Sequence, residues 1–292
     1  MNRGKDMRIN KYLAECNLGS RREVEKLILA GKVKVNNSVC SDLATDIKEG
    51  EDVVTYNGEI VTPVKERIYL ALNKPKGYIV TRSDEYNRKT VFDLLPDLGV
   101  NLFAVGRLDK DSEGLLLLTN DGEFADRIMH PRYKLPKVYK VEIRGKIRAD
   151  HLKELQSGML IDGEQTLTAR VFVKKRGDET SVLRFTIHEG KNRQIRKMVE
   201  TLGYKVLNLR RLQIDGIKLG NLPTGMFRNL SPGEVRTLMS SSRGTRKNTA
   251  GKSGSKREPN RYKTSYRRDR KREKANSPVE RQRGERGKNR LK

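Results

Sequence analysis

The segment Gly106-Arg-Leu-Asp-Lys-Asp-Ser-Glu-Gly-Leu-Leu-Leu-Leu-Thr-Asn-Asp-Gly holds three acids, Asp109, Asp111 and Glu113, at alternate positions before a run of four leucines. Calcium binding uses such spacing, and Asp109-x-Asp111-x-Glu113-Gly114 fits the first half of an EF-hand loop. The second half fails, because the twelfth position is Asn120 and positions seven to ten are all Leu. The other chemistry is a loop that lifts one carboxylate into a cleft at the end of a rigid strand. Arg107, two positions from Asp109, is placed to pair with a carboxylate or a phosphate. Composition does not choose among the three acids, and solvated acids on a surface loop would read the same way.

The elements around this loop predict an α+β fold. Strand-like runs recur at Ile68-Tyr-Leu-Ala-Leu, Leu115-Leu-Leu-Leu, Tyr139-Lys-Val-Glu-Ile, Ala169-Arg-Val-Phe-Val and Val182-Leu-Arg-Phe-Thr-Ile. Helical stretches fall near 90–95, 123–129, 149–157 and 191–202. Strands outnumber helices and several are joined by short turns, so a mixed, mostly antiparallel sheet is expected. No Gly-rich phosphate loop of either common spacing occurs, so no nucleotide cofactor is expected. On the helix near 191–202, Ile195, Met198, Val199 and Leu202 form one stripe at 100° per residue. Arg193, Arg196 and Lys197 occupy another sector, with Arg196 at the border of the apolar stripe and able to reach inward.

Upstream, residues 7–34 predict two short amphipathic helices. Ile9, Tyr12, Leu13 and Cys16 share one face, and Gly19 suits a left-handed stop. Ser20-x-x-Glu23 is a capping box, followed by the apolar Val24, Leu27 and Ile28, with Gly31 ending the helix. Lys32-Val-Lys-Val-Asn alternates like a strand, Asn36-Asn37 and Asn57-Gly58 read as turns, and another strand is expected around Asp52 to Tyr56. Arg8, Lys11, Arg21, Arg22, Lys26, Lys32 and Lys34 make the helical half basic, whereas residues 35–64 are mostly acidic. A nearly neutral unit with one basic half suggests a directed binding face.

The chain has 292 residues with 63 Lys+Arg against 37 Asp+Glu, a net charge of +26. Residues 241–292 hold 20 Lys+Arg against 5 Asp+Glu, and their only Leu, Ile or Val residues are Val279 and Leu291. Such a segment cannot bury enough apolar surface to order itself, so a disordered basic tail is expected. Polycations of this kind attract phosphate backbones without reading sequence. No run approaches a membrane span, and the polar start offers no secretory leader. Two separated cysteines and three scattered histidines exclude a disulfide framework and make a metal site improbable. A cytoplasmic monomer is expected.

Two resemblances then emerge. Met7-Arg-Ile-Asn-Lys-Tyr-Leu-Ala, Gly19-Ser-Arg-Arg-Glu-Val-Glu-Lys-Leu-Ile and Gly31-Lys-Val-Lys-Val-Asn are similar to the alpha-L RNA-binding domain, first recognised in a ribosomal small-subunit protein. Gly106-Arg-Leu-Asp-x-Asp-Ser-x-Gly-Leu-Leu-Leu-Leu-Thr-Asn-Asp-Gly resembles the signature of the pseudouridine synthases, in the branch that carries an alpha-L domain and modifies ribosomal RNA. Leu72-Asn-Lys-Pro-Lys-Gly77, Leu135-Pro-Lys-Val-Tyr139 and Glu189-Gly-Lys-Asn-Arg-Gln-Ile-Arg-Lys-Met198 match further motifs in order. The division implied is an alpha-L domain at 7–64, a catalytic domain of the pseudouridine synthase fold at 65–240 and the tail at 241–292.

The resemblance implies isomerisation of a uridine in ribosomal RNA, without a cofactor or a metal. It implies Asp109 as nucleophile, attacking either the ribose or the base. Tyr139 would stack on the uracil and offer its hydroxyl for moving the C5 proton. Arg196 would hold Asp109, and Arg107 would fill the space that an everted nucleotide leaves. Arg193 and Lys197 would join the basic residues of the alpha-L domain in gripping RNA, as part of a ribosomal or pre-ribosomal particle. Val91-Phe-Asp-Leu-Leu-Pro and Met129-His-Pro-Arg favour large-subunit RNA. The alternatives are the same chemistry on small-subunit RNA and a non-catalytic assembly factor. A tRNA synthetase would need a nucleotide-binding signature that the sequence lacks.

Overall fold

The computed structural model describes residues 6–241. The expected basic tail lies outside them, apart from its first residue. The chain opens with β1 (Asp6–Arg8), α1 (Ile9–Glu15), α2 (Arg21–Leu29), β2 (Val33–Val35), β3 (Ser38–Val39), β4 (Asp46–Lys48), β5 (Val54–Tyr56) and β6 (Glu59–Ile60). Ile9, Leu13, Val24, Ile28, Val33, Ile47 and Val54 form one apolar core beneath the two helices. Each such side chain contributes roughly 1.5–3 kcal/mol on burial. The capping box forms as expected: Glu23 N donates to Ser20 Oγ, and Ser20 N donates to the Glu23 carboxylate. The stop after α1 differs from expectation. The left-handed residue is Asn17, with φ 67°, while Gly19 sits at φ 144°. Asn tolerates that region, and here its side chain is also engaged, with Nδ2 donating to Gly99 O and Oδ1 accepting from Asn101 N. The two-residue turns Asn36-Asn37 and Asn57-Gly58 have positive φ throughout, which matches the twist of the hairpins they close.

The larger part continues with β7 (Tyr69–Lys74), β8 (Phe103–Val105), β9 (Glu113–Thr119), α3 (Gly122–Met129), β10 (Lys137–Arg144), α4 (Ala149–Ser157), β11 (Leu160–Ile161), β12 (Glu164–Gln165), β13 (Arg170–Arg176) and β14 (Thr180–Ile187). It ends with α5 (Gln194–Thr201), β15 (Val206–Ile214), β16 (Ile217–Lys218), β17 (Phe227–Asn229) and α6 (Pro232–Ser241). One sheet runs in the order β13-β14-β10-β15-β9-β7-β17, with β16 against β15 and β8 against β9. Every pairing is antiparallel except β15 with β9, so the sheet is mixed and mostly antiparallel, as expected. The stretch near 90–95 is a short 3-10 turn, Val91–Leu94, and the helix expected over 191–202 starts only at Gln194. The β15 strand and α6 come in addition to the expected elements.

The parallel seam matters for the site, because β9 leads directly out of the acidic loop. Its register is short, Arg210 with Glu113 and Arg211 with Gly114. A Cβ on Gly114 would lie 2.3 Å from Arg211 O and 2.8 Å from Arg211 N, at φ +103°. The strands approach this closely only because residue 114 has no side chain. Gly114→Ala is expected to destabilise the fold by about 3 kcal/mol or more, since backbone has to move. Thermal denaturation checks this; an unchanged midpoint would refute it.

Candidate active site

Asp109 sits in the loop from β8 to β9, and the loop is held by its own backbone. Lys74, at the end of β7, is fully buried. Its Nζ donates to the carbonyl oxygens of Pro75 (3.0 Å), Asp109 (3.0 Å), Lys110 (3.4 Å) and Ser112 (2.8 Å). Gly77 N donates to Lys110 O, and Ser112 N to Asp109 O. Burial pushes the Lys74 ammonium down to about 8, against the attraction of Asp109 and Asp111. The four carbonyls favour the charged form and replace the water it gave up.

The three alternate acids diverge. Asp109 faces a cavity of about 810 Å³, Asp111 is exposed, and Glu113 enters β9, where Asn208 Nδ2 donates to it at 3.2 Å. That volume lies within the usual range for ligand sites. No group of three or more metal-ligating side chains occurs among the described residues.

Arg196 reaches the acidic loop from α5, as its border position allows. It is buried, and its Nη2 donates to Asp111 O (3.1 Å) and Ser112 Oγ (3.2 Å). Its Nε lies 3.7 Å from Asp109 Oδ2 and has no hydrogen-bond partner. Arg193, expected among the RNA-gripping residues, also turns toward Asp109, with Nη1 at 3.8 Å from the same oxygen. It precedes α5 in a left-handed conformation, φ 51°, which aims it differently from a helical residue. Asp109 therefore has two guanidinium groups just beyond hydrogen-bond range and keeps acceptor capacity for a ligand. The loop before α5 is braced: Glu189 Oε1 accepts from Leu167 N and Gln194 Nε2, and Gln194 Oε1 accepts from Lys191 N.

Tyr139 is buried on β10 and lines the same cavity. Arg107 is exposed at the junction of this cavity with a second of about 500 Å³. Lys137 and Arg211 also line the cavity, and Lys74 shapes its loop. Burial pushes Lys137 down to about 8, with Arg211 adding to the effect. Burial also lowers His188, followed by the nearby Arg170, Lys137 and Lys134.

The expected RNA-gripping residues divide. Arg21, Arg22, Lys26, Lys32 and Lys34 are exposed. Arg8 pairs with Asp46 (3.4 Å) and donates to Ala44 O. Lys11 pairs with Glu15 (3.7 Å), and Lys197 with Asp162. No helix of the described residues is long and apolar enough to cross a membrane.

The family model for RNA pseudouridylate synthase matches residues 68–201, and the S4 domain model matches residues 7–53. An uncharacterized RNA pseudouridine synthase of Aquifex aeolicus is 41% identical over 235 residues, covering 80% of this chain and 94% of the relative. Ribosomal large subunit pseudouridine synthase B of Bacillus subtilis is 39% identical over 235 residues, covering 79% of this chain and 95% of the relative. A crystal structure of a pseudouridylate synthase superposes with a TM-score of 0.59 at 29% identity, covering 80% of this chain and 99% of that one. The sheet is thus the pseudouridine synthase fold, preceded by an RNA-binding S4 domain, and the chain belongs to the RNA pseudouridine synthase family.

Proposed function

We propose that this enzyme converts one uridine of large-subunit ribosomal RNA to pseudouridine, with Asp109 as nucleophile and no cofactor. The observation that carries this reading is the setting of Asp109. It lies at a cavity of about 810 Å³ that Tyr139 also lines, with Arg196 and Arg193 beside its carboxylate. A carboxylate is ionised at neutral pH and can stabilise or capture a departing ribose cation, or add to the uracil ring. Tyr139 offers an aromatic face to the base and a hydroxyl to the C5 proton. The rearrangement conserves every atom and involves no net oxidation, so these groups suffice. The relative from Bacillus subtilis named for the large ribosomal subunit supports that choice of RNA.

A uridine in structured RNA has to leave its stack, at a cost of a few kcal/mol. Arg107, exposed and without a hydrogen bond or ion pair among the described residues, is free to occupy the vacated space. Arg21, Arg22, Lys26, Lys32 and Lys34 supply phosphate contacts that offset the cost. RNA affinity is therefore expected to fall roughly tenfold or more between about 50 and 200 mM salt, as counterion release requires. A filter-binding titration that stayed flat over this range would contradict the basic face.

Site and activity are tested together by mapping pseudouridines with carbodiimide-dependent reverse-transcription stops, in cells with and without the protein. One large-subunit stop should vanish on deletion and return with the wild-type gene. A vanishing small-subunit stop would move the substrate, and an unchanged map would remove the activity.

A further inference from the structure

Among the cations that line the cavity, Lys137 and Arg211 have no part in the chemistry above. Lys137 and Tyr139 lie two apart on β10, so they share one face of the sheet. Tyr139 stands opposite Arg211 in the β10–β15 register, which puts Arg211 on that face as well. All three line the cavity with Asp109. Arg211 is 3% exposed; its Nε donates to Leu115 O at 2.7 Å, and its Nη2 has no hydrogen-bond partner. Lys137 Nζ donates to Leu135 O at 3.2 Å. Neither forms an ion pair with a carboxylate among the described residues. Ile187, Leu209 and Ile214 are apolar neighbours in this wall, and His188 lines it beside Lys137. A buried guanidinium with an unused N–H is costly, and the cost is offset when a ligand supplies the missing acceptor.

The reaction produces such an acceptor. If the C1′–N1 bond breaks first, its electron pair stays on N1 and the charge spreads to O2 and O4 of the ring. If Asp109 instead adds to C6, the ring carries an enolate charge on O4. Either way uracil is transiently anionic. The charge disappears when C5 bonds to C1′, the Asp109 oxygen leaves the carbon it had joined (C1′ or C6) with its electron pair, the C5 proton leaves, and N1 takes up a proton. A cation near the ring carbonyls thus meets more charge in the transition state than in the bound uridine, and that difference lowers the barrier.

We propose that Lys137 and Arg211 are catalytic residues that form a cationic floor, binding the uracil carbonyls and stabilising the anionic ring. This rests on the reading that Asp109 cleaves the nucleoside in this cavity. The lowered Lys137 ammonium agrees with a group stripped of water and awaiting a partner.

The test is a single-turnover comparison of Lys137→Met and Lys137→Arg on RNA carrying uridine or 5-fluorouridine, read as loss of the N-linked nucleoside after digestion. Fluorine already stabilises the ring anion. Lys137→Met should slow the uridine substrate by about 100-fold and the fluorinated one by less than about tenfold, with RNA affinity unchanged. Lys137→Arg should recover most of the rate. Equal losses on both substrates, or no loss on either, would overturn the floor. Arg211→Lys, which keeps the charge, should resemble Lys137→Arg. Asp109→Asn run alongside separates the two readings. If it is inactive while Lys137→Met is unimpaired, the floor fails and Asp109 stands; if it is fully active, the reading of Asp109 fails.

Discussion

Asp109→Asn is expected to fold, bind RNA and make no detectable pseudouridine. The amide keeps the shape of the carboxylate but can neither capture a ribose cation nor add to the ring. Removing a nucleophile costs catalysis at least about 10⁴-fold. Binding should hold within roughly threefold, which is under 1 kcal/mol, because the exposed basic residues lie on the N-terminal elements, which pack on an apolar core of their own. The loop should keep its shape, since Lys74 grips carbonyl oxygens and not the Asp109 side chain. The decisive measurement is nucleoside analysis of ribosomal RNA from cells carrying only the variant, with circular dichroism as the control for folding. Product at wild-type yield from a folded Asp109→Asn protein would end the assignment.

Arg196→Ala is expected to cut single-turnover rate by about 100- to 1,000-fold, the range seen when one preorganised charged donor is removed. Two effects combine. The Asp109 carboxylate loses the buried guanidinium whose Nε lies 3.7 Å away and helps to hold it in position. The loop also loses the bonds from Nη2 to Asp111 O and Ser112 Oγ, which costs about 1–3 kcal/mol of stability. Arg196→Lys keeps a charge but cannot span both contacts, so it should recover only part of the rate. Because Arg193 approaches the same carboxylate oxygen, the double variant should fall further than Arg196→Ala alone. Single-turnover rates with RNA affinity measured in parallel check this. An Arg196→Ala enzyme at full speed would refute the positioning role.

Local rules made much of this molecule legible. The Ser20–Glu23 capping box, the Asn-Gly and Asn-Asn turns and the leucine run of β9 carry their signals within a few residues. The same signature as the capping box occurs at Ser231-Pro-Gly-Glu234, where Ser231 and Glu234 cap α6 reciprocally. The β15 strand is harder. It pairs with β10 through two register shifts, so its burial does not alternate, and it hides Arg211 where an apolar residue would be expected. In the site, Asp109, Tyr139 and Arg196 came from motif resemblance; Asp109 and Tyr139 line one cavity, and Arg196 is buried beside the Asp109 loop. The turn of Arg193 toward Asp109 depends on a left-handed backbone at a non-glycine residue, for which composition gives no cue. The burial of Lys74 was equally invisible, because lysine is almost never fully buried unless its partners are already in place.

The grip of Lys74 has an evolutionary consequence. A clamp that reads only main-chain oxygens is indifferent to the identity of the residues it fastens. Lys110 points outward from a segment whose course is set from beneath. That place can therefore drift, and so retune contact with different RNA neighbourhoods, while the carboxylate between Leu108 and Lys110 stays where it is.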